Sequence, residues 1–141
     1  MKVRDILQSK GRHVYTIEHR QTLAEVVDRL VEHNCGSLVV KDRDRVVGII
    51  TERDILRANC SNRESFQATA VRDKMTSRLI TGNPDDDVSA VMGLLTSRRI
   101  RHLPIMEDGQ LVGMVSIGDV VKAQHDSVCQ ENHFLKSYIY S

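Results

Sequence analysis

Two short stretches of this chain carry residue types suited to chemistry, and they carry them at the same spacing. Gly48-Ile49-Ile50-Thr51-Glu52-Arg53-Asp54 and Gly113-Met114-Val115-Ser116-Ile117-Gly118-Asp119 each run glycine, two apolar residues, a hydroxyl residue, two variable positions and an aspartate. At a strand-to-helix junction, the hydroxyl caps the helix beside backbone N–H groups that lack intrahelical partners, and such a helix start attracts phosphate. The aspartate falls one turn into the helix. Once ionised it only accepts hydrogen bonds and can take two from neighbouring hydroxyls, which suits the 2′ and 3′ hydroxyls of a ribose and repels a phosphate placed there. The glycine permits close backbone approach. A single Thr-x-x-Asp or Ser-x-x-Asp reads more simply as a capping box. Recurrence behind the same glycine and apolar pair favours a ligand.

A second ingredient is cationic. Arg98, Arg99, Arg101 and His102 stand directly before an apolar run at 103–106, and Lys122 lies at the far end of the helix that Ser116 opens. A guanidinium at a sheet edge can grip a phosphate in a bidentate fashion. The same charges also suit the carboxyl end of the preceding helix. We assign Arg98 to solvent and Arg101 or His102 to the site. Pro104 lacks a backbone donor, which points to an edge position with an open carbonyl or amide nearby for a base.

The elements that must position these residues also occur twice. An offset of 65 residues pairs Thr16 with Thr81, Val26 with Val91, Leu30 with Leu95, Leu38 with Leu103 and Val47 with Val112. Upstream, Val3-Arg4-Asp5 matches Val71-Arg72-Asp73 at an offset three residues longer, with a small insertion near residues 8–11 of the first copy. A repeat of this kind signals two copies of one supersecondary unit. In the first copy, residues 14–17 predict a strand. Leu23, Val26, Val27, Leu30 and Val31 then follow Thr22 at helical spacing. Residues 37–40 and 45–50 predict a hairpin around a turn at 41–44, and Thr51 opens a helix through Arg57. The second copy predicts a strand at 79–81, a helix from Val88 to about Ser97, strands at 102–106 and 111–115 around Glu107-Asp108-Gly109, and a helix from Ser116. Each copy has too few strands to close its own core, so the two must pack together.

Composition narrows the classes. The charge of +1, from 20 basic and 19 acidic side chains, gives no general drive toward nucleic acid or anionic lipid. No apolar run is long enough to span a bilayer, and Met1-Lys2-Val3-Arg4 leads into no apolar signal core, so the expectation is a soluble cytoplasmic protein. Cys35, Cys60 and Cys129 form no Cys-x-x-Cys pair, which fits a reducing compartment. His125, Cys129 and His133 step by four residues and could share a metal, but the steps drift round the helix and no fourth ligand is evident; ordinary helix positions are the preferred reading, with no metal assigned. Residues 59–70 read as a polar linker. Residues 132–140 bring Phe134, Leu135, Tyr138, Ile139 and Tyr140 into a terminal segment expected to dock on the body or on a second copy.

The stretches Arg99-Ile-Arg-His-Leu-Pro-Ile105 and Gly109-Gln-Leu-Val-Gly-Met-Val-Ser-Ile-Gly-Asp-Val-Val-Lys122 resemble the CBS domain, named after cystathionine β-synthase, and with the first copy they are similar to a tandem pair of such domains over about residues 3–123. The resemblance implies an α+β fold of two β-α-β-β-α repeats packed as a pseudo-twofold pair, often a homodimer through the helices of the pair. It divides the chain into a first repeat at 1–58, the linker at 59–70, a second repeat at 71–123 and a helical tail at 124–141. It also implies binding of adenosine ligands such as AMP, ADP, ATP, NAD(H) or S-adenosylmethionine. Carried over, Asp54 and Asp119 match the ribose-binding aspartate, Thr51 and Ser116 the hydroxyl near ribose or phosphate, and Thr16 and Thr81 positions whose backbone lies near the base. Arg53 stands where the family offers a phosphate contact, whereas Gly118 cannot. Cys35-Gly36-Ser37 stands opposite Ile100-Arg101-His102, so unequal occupancy of the two clefts is expected.

These residues rank the ligands. A cationic cluster disfavours the sulfonium of S-adenosylmethionine, and an aspartate at the ribose disfavours the 2′-phosphate of NADP, leaving AMP and NAD(H) first. The leading expectation is a nucleotide-sensing regulatory module that signals to an unknown effector protein. A structural dimer without ligand is the alternative. An enzyme is the weakest reading, because no nucleophile is paired with a recognisable base.

Overall fold

Val3, Ile6 and Leu7 fall at helical spacing and form the buried face of α1 (Val3–Lys10) in the computed structural model, which describes residues 1–140. Two compact units follow from the chain's path: Val14–Ile80, and Met1–His13 with Thr81–Ser141. The units are therefore offset from the sequence repeats. Each repeat's Val-Arg-Asp segment joins the unit built on the other repeat's hairpin.

In the first of these units, β1 (Thr16–Glu18) leads to α2 (Leu23–His33), then β2 (Ser37–Asp42), β3 (Arg45–Thr51) and α3 (Glu52–Ser61). The sheet has the order β1-β2-β3, with β1 and β2 parallel and β2 and β3 antiparallel. Thr22 caps α2 by accepting the Glu25 N–H at 3.4 Å, and Leu23, Val26 and Leu30 form its buried stripe. They share a core with Ile17, Leu38, Val40, Ile50, Ala58 and Val71. Burial of Ala58 explains why α3 continues past the predicted stop at Arg57: ending there would leave that face unfilled. Within residues 59–70, Phe66–Ala68 forms a 3-10 turn, and Val71–Asp73 forms another. Beyond it, Thr76 exchanges backbone hydrogen bonds with Ile49, at 3.0 and 2.9 Å.

The other unit holds α1, α4 (Val88–Arg98), β4 (His102–Glu107), β5 (Gln110–Ser116) and α5 (Ile117–Tyr140). β4 and β5 pair antiparallel, and the loop between them places Asp108 and Gly109 at φ 52 and 76. That is the left-handed backbone an Asp-Gly turn supplies. The strand predicted at 79–81 does not form. A single bridge takes its place one residue on, between Gly82 and Ile105. Pro84 cannot donate to a ladder, and Asn83 turns the chain by accepting the Asp85 N–H at 3.0 Å. The order β-α-β-β-α thus holds in full in the first copy and with a one-residue first strand in the second.

α1 is tied to this unit by backbone bonds from Val3 N to Asp86 O and Arg4 N to Pro84 O. Beyond its second turn α5 is exposed, with Phe134, Leu135, Tyr138 and Ile139 between 55% and 77% exposed. The expected docking of this segment on the body does not occur for Phe134, Leu135 and Ile139. Tyr140's side chain and Ser141 lie outside the described residues. No helix among the described residues is long and apolar enough to cross a membrane.

Candidate functional site

Each unit presents one strand-to-helix junction built the same way. In the first, β3 delivers Thr51 as the cap of α3: its hydroxyl accepts the Asp54 N–H at 3.4 Å, and Asp54 Oδ2 accepts the Thr51 N–H at 3.0 Å and its O–H at 3.2 Å. In the second, Ser116 Oγ accepts the Asp119 N–H at 3.1 Å and Asp119 Oδ2 accepts the Ser116 N–H at 2.8 Å. Glu52 donates to the Gly36 carbonyl at 3.1 Å, and Ile117, its counterpart, donates to the Arg101 carbonyl at 2.9 Å. The backbones superpose in role; the side chain that Arg101 adds where the first copy has Gly36 does not. Thr51 and Ser116 are therefore the caps, and both aspartates close the capping box from the third helical position. Every junction bond that the carboxylates accept ends on Oδ2. Oδ1 takes none of them, so capping leaves one carboxylate oxygen to accept from a ligand hydroxyl.

The two junctions differ in one contact that sequence reasoning missed. Lys10, at the end of α1, donates to Asp119 Oδ2 at 2.6 Å and to the Met114 carbonyl at 2.9 Å. This joins the amino-terminal helix directly to the carboxylate expected at a ribose. A signal for it was present. The offset that matches Val3 with Val71 also matches Lys10 with Arg78, a basic residue at both places. Arg78 is exposed, and no ion pair among the described residues links it to Asp54. At the second junction Lys10 thus offsets the charge of Asp119, whereas at the first no cation among the described residues pairs with Asp54.

Burial alone would raise the Asp119 carboxyl, but the Lys10 ammonium and the Ser116 N–H outweigh it and hold the group below its ordinary range. A folded value below the unfolded one contributes stability above the unfolded pKa, and that contribution disappears as pH falls through the folded value. The contribution of Asp119 to the melting temperature is expected to be fully present above about pH 6 and to be lost progressively below about pH 4. Lys10→Ala should flatten that acid limb, which a pH series of thermal melts will measure.

The remaining predicted residues are placed as follows. Thr16 begins β1 in register with Val39, and its carbonyl accepts from Arg29. Arg53 is exposed in the first turn of α3, next to Asp54. Thr81 is exposed beside Gly82. His102 opens β4 opposite Ser116, so the imidazole-bearing strand end and the capped junction adjoin, with Arg101 exposed one residue earlier. Lys122 is exposed one turn beyond Asp119 on α5. The open acceptor expected at Pro104 is engaged: its carbonyl takes the Gly82 N–H at 2.9 Å, and Pro104 itself is buried.

The glycines also serve a different neighbour from the one expected. A Cβ at Gly113 would lie 2.6 Å from Leu7 Cδ2, and one at Gly48 would lie 2.8 Å from both Met75 Sδ and the Thr76 carbonyl. The close approach they permit is that of the chain's own docked segments.

Other features carry less chemistry. A concavity of about 500 Å³ lined by Glu18, His19, Arg20, Asp42, Arg43 and Arg45 sits at the far end of the β1-β2-β3 sheet from Thr51 and contains none of the predicted residues. His125 Nε2 and Cys129 Sγ lie 3.5 Å apart on exposed α5, and no group of three or more His, Cys, Asp or Glu among the described residues is arranged to hold a metal. Burial pushes the Cys35 thiol up, the opposite of what an activated thiolate needs.

Comparison with known proteins places this geometry in context. The CBS domain profile matches residues 3–60 and 71–126. The mitochondrial CBS domain-containing protein CBSX3 of Arabidopsis thaliana is 38% identical over 97% of this chain and 71% of its own length. A crystal structure of a CBS-domain containing protein from Agrobacterium tumefaciens is similar at a TM-score of 0.86 and 35% identity, covering 88% of this chain and 99% of that one. A CBS domain pair solved in complex with 5′-methylthioadenosine and S-adenosyl-L-methionine is similar at a TM-score of 0.80 and 26% identity, covering 90% of this chain and 98% of that one.

Proposed function

Because this chain belongs to the CBS domain family and carries two copies of the domain, we propose that it is a regulatory module that binds adenosine nucleotides and signals to a partner protein. The observation that carries this reading is the doubled junction. Two unrelated caps would not need to share the hydroxyl, the aspartate and the same backbone bond from the next residue. Each aspartate keeps Oδ1 for ribose hydroxyls, while Arg53 in one unit and Arg101 with His102 in the other stand near enough in sequence to meet phosphates. AMP, ADP, ATP and NAD(H) fit that pattern of diol and anion. The complex of a similar domain pair with two adenosine compounds supports the adenosine class.

Ligand binding acts by favouring one arrangement of the chain over another, and an effector protein reads the difference. The module works as a homodimer in the cytoplasm and has no catalytic role of its own. A structural dimer without ligand is the second reading, favoured by the fact that both aspartates already close capping boxes.

Calorimetry with AMP, ADP, ATP, NAD(H) and S-adenosylmethionine on the purified chain separates the two. A bound ligand at a hundred times its dissociation constant should add about 2.7 kcal/mol to stability, which a melting scan reads independently. Absence of binding and of any thermal shift across the whole panel would leave the structural dimer. Turnover of any of the nucleotides would overturn the non-catalytic assignment.

A further inference from the structure

Past its second turn α5 leaves the body, yet its exposed surface, which begins within that turn at Val121, is not uniformly polar. Val121, Val128, Leu135 and Ile139 are 52%, 53%, 55% and 71% exposed. At 3.6 residues per turn, these four and the intervening His125 and Asn132 fall within about 40° of one line along the helix. The spacing alternates four and three residues, the seam of a coiled coil. Written as heptads, Val121, Val128 and Leu135 take the d positions and His125, Asn132 and Ile139 the a positions. Lys122, Cys129 and Lys136 then fall at e, and Gln124, Glu131 and Tyr138 at g.

We propose that the outer part of α5 is a self-association element, which pairs in parallel with α5 of a second copy of this chain as a short two-stranded coiled coil. Charge selects the occupant and its direction. In a parallel pair each g residue meets the e residue five positions on in the other helix, so Glu131 meets the second copy's Lys136, and the twofold axis repeats the pair. An antiparallel pair centred on the same heptad would set Glu131 against Glu131 and Lys122 against Lys136, both like-charged. Asn132 argues the same way. Against an apolar groove its amide would be buried without a partner, at a cost. Across a parallel twofold seam it meets its own copy, the arrangement by which a single a-position Asn fixes register and two strands. Phe134 lies off the seam and takes no part.

The test uses the full-length chain with Cys35→Ala, Cys60→Ser and Cys129→Ser, and adds either Leu135→Cys in the seam or Ser137→Cys on the opposite face. Mild oxidation should link the Leu135→Cys chains to one another through their 135 positions, at least tenfold faster than the Ser137→Cys chains. Equal rates, or linkage that sedimentation shows to be random collision, overturn the proposal. With the native cysteines retained, Glu131→Lys should raise the dissociation constant of this contact about tenfold. Adding Lys136→Glu should restore it. A dimer held only by other helices would ignore both charge changes, and would also refute the assignment.

Discussion

Asp119→Ala is expected to weaken binding of an adenosine ligand at the second junction about hundredfold. Two hydrogen bonds from ribose hydroxyls to an ionised carboxylate are each worth about 1.5 kcal/mol or more, and about 1.4 kcal/mol is tenfold in affinity. The same substitution removes the cap on Ser116 N and leaves the Lys10 ammonium without its carboxylate, so stability should fall by about 1 kcal/mol. A weaker protein can mimic a weaker site. Asp119→Asn separates the two, because an amide oxygen at N3 can still accept the Ser116 N–H, as Gln does in a capping box, but lacks the charge. It should melt near the wild type once the lost Lys10 pair is allowed for, and bind about tenfold less tightly. Wild-type affinity in Asp119→Asn would remove the ribose role. Asp54→Ala gives the matching result for the first junction, and a two-site isotherm should lose one component with each variant.

The sequence exposed both junctions because their chemistry is local. A cap and its N3 carboxylate lie within four residues, so Thr51 with Asp54 and Ser116 with Asp119 were readable from spacing alone. Lys10 was not, since it reaches Asp119 across 109 positions. Only the docking of α1 on the β5 side of the fold brings them together, and a contact of that span has no periodic signature. The fate of the docked segments was hidden for the same reason. Val3-Arg4-Asp5 and Val71-Arg72-Asp73 announce themselves as a repeat, but nothing in a repeat says which hairpin each copy will cover. The predicted 79–81 strand failed for a local reason, the Asn83-Pro84 turn, which alternation of apolar residues cannot weigh against.

Lys10 also alters the ligand ranking. Repulsion of a 2′-phosphate was argued from an aspartate alone, and that argument stands for Asp54, which pairs with no cation among the described residues. At Asp119 the ammonium lies 2.6 Å from the carboxylate and offsets its charge. Near the surface, removing one unit charge at such range changes the interaction with an anion by about 1 kcal/mol or more. Lys10→Ala is therefore expected to increase the preference for NAD(H) over NADP at this junction about fivefold in competition binding. An unchanged ratio would mean that Lys10 leaves Asp119 when ligand arrives.

Gly113→Ala and Gly48→Ala are expected to destabilise the chain by about 1–3 kcal/mol each, the usual cost of forcing atoms into a packed interior. Neither glycine has a positive φ, so backbone strain is not the cause. At Gly113 the added methyl meets Leu7, which is 1% exposed and has no room to withdraw. Here the obstacle is a side chain, and Leu7→Ala should relieve it. Leu7→Ala alone costs about 2–5 kcal/mol through the space it leaves, but the double variant should be less damaged than the sum, because one methyl fills part of the other's cavity. At Gly48 the methyl meets Met75 Sδ, which can bend away, and the Thr76 carbonyl, which cannot. That carbonyl accepts the Ile49 N–H at 3.0 Å, so moving it breaks the bridge that docks residues 71–76. Met75→Ala should therefore fail to rescue Gly48→Ala. Urea unfolding of the two double-variant cycles gives the answer directly: positive coupling at Gly113 with Leu7 and none at Gly48 with Met75. Coupling of equal size in both would mean that the glycines accommodate side chains alone, and that the backbone bridge at Thr76 yields without loss.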